Sequence, residues 1–228
     1  ISCFYSISQF SKDDEHMKLQ IALDFDFNYC KTTQFIPKVA DHIDIIEAGT
    51  PFLMEEGLSL LKKLKSSYPE KKVLADLKIA DAGFREAENA FLAGADIVTV
   101  LSVVENATIL GVLEAARKYK KAVLVDMLGA SNLEQRIREI DAMGADYICL
   151  HTSKDLQKLN TDVSQAFSMV RKVIKHTKLA IAGGITAENI KKYAAIKPDL
   201  IIVGEGITLS ETPEKTAEHI RTVMSQYS

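Results

Sequence analysis

The chain has 228 residues, 47% of them apolar, with 28 basic against 31 acidic side chains and a net charge of −3. That suits one domain with a large core, and the even mixture of charges argues against a nucleic-acid or anionic-membrane surface while leaving room for one local anion site. Three widely spaced cysteines (Cys3, Cys30 and Cys149) with no Cys-x-x-Cys argue against a disulfide framework or zinc knuckle and fit a reducing compartment.

Residues 1–16 lack the basic start and apolar stretch of a signal peptide and end in Lys12-Asp13-Asp14-Glu15. They are expected to be an extension outside the folded domain, with Met17 as a natural start. No apolar run approaches the roughly 18–20 residues that cross a bilayer, so no membrane partner and a cytoplasmic location are expected. From Lys18 the pattern alternates. Strand-like runs cover Leu19–Leu23, Ile43–Ile46, Val73–Ala75, Ile97–Leu101, Ala122–Val125, Tyr147–Leu150, Leu179–Ala182 and Leu200–Val203. Short continuous apolar runs of this kind suit strands of a parallel sheet buried on both faces. Between them lie amphipathic helical patterns: Gly57–Ser67, Ala107–Lys118, Leu133–Met143, Phe167–Ile174 and Pro213–Met224, the last with proline in its first turn. Eight strand–helix repeats with no break in composition predict one α/β domain over residues 17–228, a single (β/α)8 TIM barrel. An open doubly wound sheet is the alternative. The lack of a Gly-x-Gly-x-x-Gly after the first strand weakens it as a dinucleotide fold.

In such barrels the chemistry sits at the carboxyl ends of the strands. Strand 1 ends at Asp24, strand 2 at Glu47, and strand 3 at Asp76-Leu77-Lys78 with Asp81 beyond. Strand 5 ends at Asp126, strand 6 at His151, strand 7 at Gly183-Gly184 and strand 8 at Gly204-Glu205-Gly206. Singly, each has a plain explanation: Asp24 a helix N-cap, Glu47 a solvated loop acid, His151 a hydrogen-bonded core histidine. Five strands delivering an ionisable group to one mouth is what those explanations leave unaccounted for. Strand alternation places Asp76 and Lys78 on one face, and an ammonium among carboxylates stays protonated. Asp76 and Glu47 come from neighbouring strands about 4.8 Å apart. Two carboxylates that close repel unless a cation bridges them, and oxygen ligands of this kind suit Mg2+ rather than zinc. Gly183 and Gly184 lead into a helix expected near Ala187. Its free amides and dipole, with the amides of Gly204, Glu205 and Gly206, would grip a phosphate. Two glycine turns for close packing is the plain alternative.

These residues carry a resemblance. Ala22-Leu23-Asp24, Asp44-Ile45-Ile46-Glu47-Ala48-Gly49-Thr50, Ala75-Asp76-Leu77-Lys78-Ile79-Ala80-Asp81-Ala82-Gly83, Val125-Asp126-Met127, His151–Gln157 and Ala182-Gly183-Gly184-Ile185 resemble the 3-hexulose-6-phosphate synthases. The Asp-x-Lys-x-x-Asp signature is similar to that of the wider orotidine-monophosphate decarboxylase suprafamily. Glu47 replaces the lysine of the orotidine enzymes. Lys154 stands where the related 3-keto-L-gulonate-6-phosphate decarboxylases have arginine, and Asp126 where they have glutamate. Glu205 departs from both, since the synthases carry glycine there and the decarboxylases arginine.

The resemblance implies a lyase that condenses formaldehyde with ribulose 5-phosphate, reversibly, through a metal-stabilised enediolate. It implies Mg2+, with Mn2+ as a substitute, on Glu47 and Asp76, and Lys78 donating to the enediolate oxygen. It assigns His151 to acid–base work at C1 and Asp24 and Asp126 to positioning. The phosphate falls to Gly183, Gly184, Gly204 and Glu205. It also implies a homodimer in which Asp81 reaches the neighbouring subunit's site, with a sugar phosphate and formaldehyde as the small-molecule partners. The gulonate-phosphate decarboxylase is the rival activity. A non-catalytic sugar-phosphate sensor is the rival of another class.

Overall fold

The structure is a computed structural model that describes residues 16–24, 27–152 and 164–227. Residues 1–15, and the Ser153–Gln157 stretch with Lys154, lie outside the described residues. Eight parallel strands close into one barrel in sequence order: β1 (Lys18–Leu23), β2 (Ile45–Ala48), β3 (Lys72–Ile79), β4 (Ile97–Leu101), β5 (Ala122–Asp126), β6 (Tyr147–His151), β7 (Lys178–Ala182) and β8 (Leu200–Val203). The helices around them are α1 (Tyr29–Val39), α2 (Thr50–Glu56), α3 (Ser59–Ser67), α4 (Gly83–Leu92), α5 (Asn106–Tyr119), α6 (Leu133–Met143), α7 (Ser164–Val173), α8 (Ile190–Ala194), α9 (Glu205–Thr208) and α10 (Pro213–Ser225). The expected (β/α)8 architecture is therefore the observed one. No helix among the described residues is long and apolar enough to cross a membrane.

Strand alternation divides the core in two. One face of each strand packs on the helices: Leu19, Ile21 and Leu23 of β1, Val73 and Ala75 of β3, and Val123 and Val125 of β5 belong to that layer. The other face fills the barrel interior with Ala22, Ile45, Leu74, Ile97, Leu124, Tyr147, Cys149, Ala180, Ala182, Leu200 and Ile202. Burying one such Ile or Leu fully is worth about 1.5–3 kcal/mol, and Ala22, Leu74, Leu124, Cys149, Ala182 and Ile202 of this plug floor a cavity at the upper rim.

Four aspartates lace the lower rim. Asp44, Asp96, Asp146 and Asp199 each stand just before an even-numbered strand. Their Oδ2 atoms accept the N–H groups of Leu19, Val73, Val123 and Leu179 on the preceding odd strands, at 2.7, 3.0, 2.9 and 2.8 Å. Their backbone carbonyls accept from Lys72, Ala122, Lys178 and Lys18 on the following odd strands. Each aspartate thus ties both neighbours of its strand and satisfies amides that a barrel end would otherwise leave open.

Some boundaries moved. β2 lies two residues later than expected, because Asp44 belongs to this lacing rather than to the strand. β3 is eight residues long rather than three, because polar Asp76 and Lys78 interrupt its apolar run without ending the strand. An additional helix spans Thr50–Glu56, with Pro51 in its first turn, where proline's missing N–H costs nothing.

Candidate active site

The upper rim surrounds a cavity of about 470 Å3. Eleven of the expected residues line it: Asp24, Glu47, Asp76, Lys78, Asp126, His151, Gly183, Gly184, Gly204, Glu205 and Gly206. Asp81 does not. It is exposed on the loop after β3, where its Oδ1 accepts the Ala82 N–H at 2.6 Å.

The centre is Asp76. Its Oδ2 receives the Lys78 ammonium and the Thr50 hydroxyl, the latter at 2.9 Å, and its Oδ1 receives the Thr99 hydroxyl at 2.8 Å. Lys78 Nζ also lies 3.2 Å from Thr50 Oγ1. Regular alternation is not what brings Asp76 and Lys78 together. The β3–β4 register shifts between Ala75 and Ile79, and Lys78 has a left-handed backbone, φ +47°. For a non-glycine residue that conformation costs roughly 1–3 kcal/mol, which the surrounding structure has to offset. The expectation of a shared face held, but a bulge rather than an even pleat produces it.

Glu47 is buried on β2, and Gln20 Nε2 donates to its Oε2 at 2.5 Å. Gln20 Oε1 is buried without a hydrogen-bond partner. Burial first, then the charges of Asp76 and Asp24, raise Glu47 well above the ordinary glutamate value. Burial pulls Lys78 the other way, but Asp76, by charge and hydrogen bond, with Asp126 and Glu47, outweighs it. The ammonium is held above its usual value. Lysine therefore stays charged here, as its sequence neighbours suggested.

Across the barrel, His151 Nδ1 lies 2.9 Å from Asp126 Oδ2, and Asp126 Oδ1 accepts the Leu128 N–H at 3.0 Å. Asp24 occupies space that only glycine leaves free: a Cβ on Gly49 would stand 2.1 Å from Asp24 Oδ1. The first glycine loop is equally tight. Gly183 has φ +97°, and a Cβ there would meet Thr152 O at 2.1 Å. The helix expected near Ala187 begins only at Ile190 and is five residues long. Asn189 Oδ1 already holds the Thr186 N–H at 2.8 Å. A helix dipole at Ala187 is thus not part of this rim, and the backbone there is that of the two glycine loops. Glu205, the first residue of α9, is exposed at the edge of the cavity.

Gln20, Thr50 and Thr99 also line the cavity, and a pattern of strand-ending acids does not point to them. Gln20 and Thr99 sit inside strands, on the inward face by alternation, and each is a polar residue in an otherwise apolar run. A second hollow of about 520 Å3 adjoins Ser102–Asn106 and α6. Its Arg136 is committed to Ser102 O, Val104 O, Asn106 and Glu139.

A closed parallel barrel with an ammonium pinned among carboxylates at its carboxyl rim defines a (β/α)8-barrel enzyme. Residues 17–220 match the orotidine 5'-phosphate decarboxylase / HUMPS family, and the chain belongs to that family. It is 43% identical over 210 residues to the 3-hexulose-6-phosphate synthase of Bacillus subtilis, spanning 92% of this chain and 100% of that protein. The crystal structure of the Salmonella typhimurium 3-hexulose-6-phosphate synthase superposes with a TM-score of 0.90 at 41% identity, over 93% of this chain and 100% of that one. A 3-keto-L-gulonate-6-phosphate decarboxylase from Vibrio cholerae gives 0.83 at 26% identity, over 93% and 99%. With such relatives over nine-tenths of its length, the chain is an enzyme of the lyase kind.

Proposed function

We propose that the chain condenses formaldehyde with ribulose 5-phosphate to give 3-hexulose 6-phosphate, and catalyses the reverse, with Mg2+ (or Mn2+) as cofactor. The observation that carries this reading is the meeting of Glu47, Asp76 and Lys78 at one mouth. Identities of 41–43% to synthases against 26% to the gulonate decarboxylase favour the synthase over its rival.

The donor set fits a divalent cation. Glu47 and Asp76 are hard oxygen ligands on neighbouring strands, and both line the same mouth. Among the described residues no group of three His, Cys, Asp or Glu is placed to hold a metal. Two protein carboxylates with water or substrate filling the shell is the habit of Mg2+. When bound, the cation would supply Lewis acidity to the substrate's oxygens.

The remaining roles fall to the chain itself. Lys78 donates to the oxygen on which charge develops when C1 loses its proton, a transition-state interaction. His151, oriented by Asp126, takes the C1 proton through Nε2 and gives it up to the alkoxide left on the formaldehyde oxygen once the carbon–carbon bond forms, a role typically worth about 10²–10⁴-fold. Asp24 positions substrate hydroxyls, and the loops at Gly183, Gly184, Gly204 and Glu205 receive the phosphate. Exposed Asp81, outside this chain's own cavity, suits a homodimer in which it completes the neighbour's site.

The test is turnover of ribulose 5-phosphate with formaldehyde, with and without Mg2+, run beside a decarboxylase assay on 3-keto-L-gulonate 6-phosphate. Cation-dependent hexulose formation is expected. Decarboxylation alone, or ligand binding without turnover, would replace the proposal with one of its rivals.

A further inference from the structure

The strand-by-strand reading leaves β4 without a part in the site, yet Thr99 of β4 is 3% exposed and lines the cavity. Its hydroxyl makes two hydrogen bonds whose directions are fixed. The Lys78 backbone N–H can only donate, so Thr99 Oγ1 accepts it, at 2.8 Å. The single hydroxyl proton is then free for Asp76 Oδ1, at 2.8 Å. Asp76 and Lys78 are thereby joined twice, once directly through Nζ on Oδ2 and once through Thr99 on Oδ1.

This relay sits where the strand is least regular. Lys78 is left-handed, and the β3–β4 register slips around it, so its amide is met by the neighbouring strand's side chain. Threonine suits the task, because its branched Cβ restricts χ1 and keeps the hydroxyl from wandering. Valine would fill the same space but leave the Lys78 amide and Asp76 Oδ1 each short of a partner.

We propose that Thr99 is a positioning residue, which sets the Lys78 backbone and the plane of the Asp76 carboxylate together and so aims the ammonium. Held through Oδ2 alone, by Thr50 and Lys78, the Asp76 carboxylate could tilt about its Cβ–Cγ bond and carry Lys78 Nζ with it. A displacement of about 1 Å in a catalytic group can cost about 10²-fold in rate. The phosphate-facing glycine loops lie after β7 and β8, away from β4 in the barrel order, so substrate binding would be spared.

For its assay the inference rests on the synthase reading, and the experiment separates the two. Wild-type turnover tests that reading. Thr99→Val against Thr99→Ser tests this one. The expected result is a kcat about 10²-fold lower in Thr99→Val, with KM for ribulose 5-phosphate within about threefold of wild type, and most of the activity retained in Thr99→Ser. Amide hydrogen exchange at Lys78, which needs no substrate, is expected to quicken in Thr99→Val and stay slow in Thr99→Ser. If the valine variant does not fold, the smaller Thr99→Ala takes its place with the same expectations. Wild-type kcat, a loss confined to KM or to melting temperature, no rescue by serine, or unchanged Lys78 protection would each overturn the proposal.

Discussion

His151 and Asp126 face each other from the ends of adjacent strands, Nδ1 to Oδ2, at 2.9 Å. A carboxylate can only accept, so Asp126 takes the imidazole's Nδ1–H on Oδ2 while the Leu128 amide holds Oδ1. Asp126→Asn would offer an N–H to Nδ1 and move the ring proton to Nε2. We expect kcat to fall about 10²–10⁴-fold with the barrel intact. Nitrogen NMR of the ring should show the tautomer exchanged; an unchanged rate in Asp126→Asn would remove His151 from the proton-transfer role.

Asp76→Ala should abolish cation-dependent turnover while circular dichroism stays that of the folded barrel. The substitution removes a carboxylate ligand and strips Lys78 of its principal partner. Full turnover of the unmodified enzyme in excess EDTA would count against the cation.

Gly49→Ala tests Asp24 without touching it. The new methyl would overlap Asp24 Oδ1 and come within 2.6 Å of Leu23 O, so the carboxylate must leave its place. We expect a stability loss of about 1–3 kcal/mol by denaturant melting. A drop in turnover beyond what the unfolded fraction explains should accompany it. Normal specific activity of the folded fraction would mean that the position of Asp24 is immaterial.

Two of the lower-rim aspartates should respond oppositely to acid. Burial disfavours a charged Asp96, but Lys121, Lys65 and the Val73 amide outweigh it and hold its carboxyl below the ordinary value. A depressed folded value means stability that is present above the unfolded value of about 3.9 and disappears as pH falls through the folded one. Burial dominates at Asp146 and raises it. Its contribution therefore weakens as pH climbs past the unfolded value. In urea at pH 7, Asp96→Asn should cost roughly 2 kcal/mol and Asp146→Asn clearly less. Equal losses at the two sites would contradict the difference in their surroundings.

Cys30 is exposed, whereas Cys149 lies buried inside the barrel. Burial first, then Asp126, Glu47 and Asp76, push the Cys149 thiol well up. Since the thiolate is the reactive form, iodoacetamide at pH 8 should modify Cys30 in the folded protein and Cys149 only in denaturant, as peptide mapping would report. Comparable rates at the two positions in the folded state would be the contrary result.

The barrel was legible because strands buried on both faces write themselves as unbroken apolar runs, as in Ala122–Val125 and Leu200–Val203. The rim acids were legible because they end those runs. What escaped was polar residues within strands. Gln20 and Thr99 read as exceptions to a pattern, although alternation alone would have turned them inward. The bulge at Lys78 had no signature either, since left-handed backbone usually announces itself through glycine or asparagine. The late start of α8 reflects an asparagine side chain capturing the Thr186 amide, a local competition that propensity does not foresee.

The aspartate lacing repeats with every second strand, so each two-strand unit starts and finishes on the same kind of joint. A half barrel cut after α5 would present, at its open edge, the Asp96 carbonyl that now receives Ala122, in the relation that the Asp199 carbonyl bears to Lys18. Two tandem copies of residues 17–119 would then meet like to like. A cooperative melt and a monomeric sedimentation profile for that fusion would show the ring to be divisible into interchangeable halves.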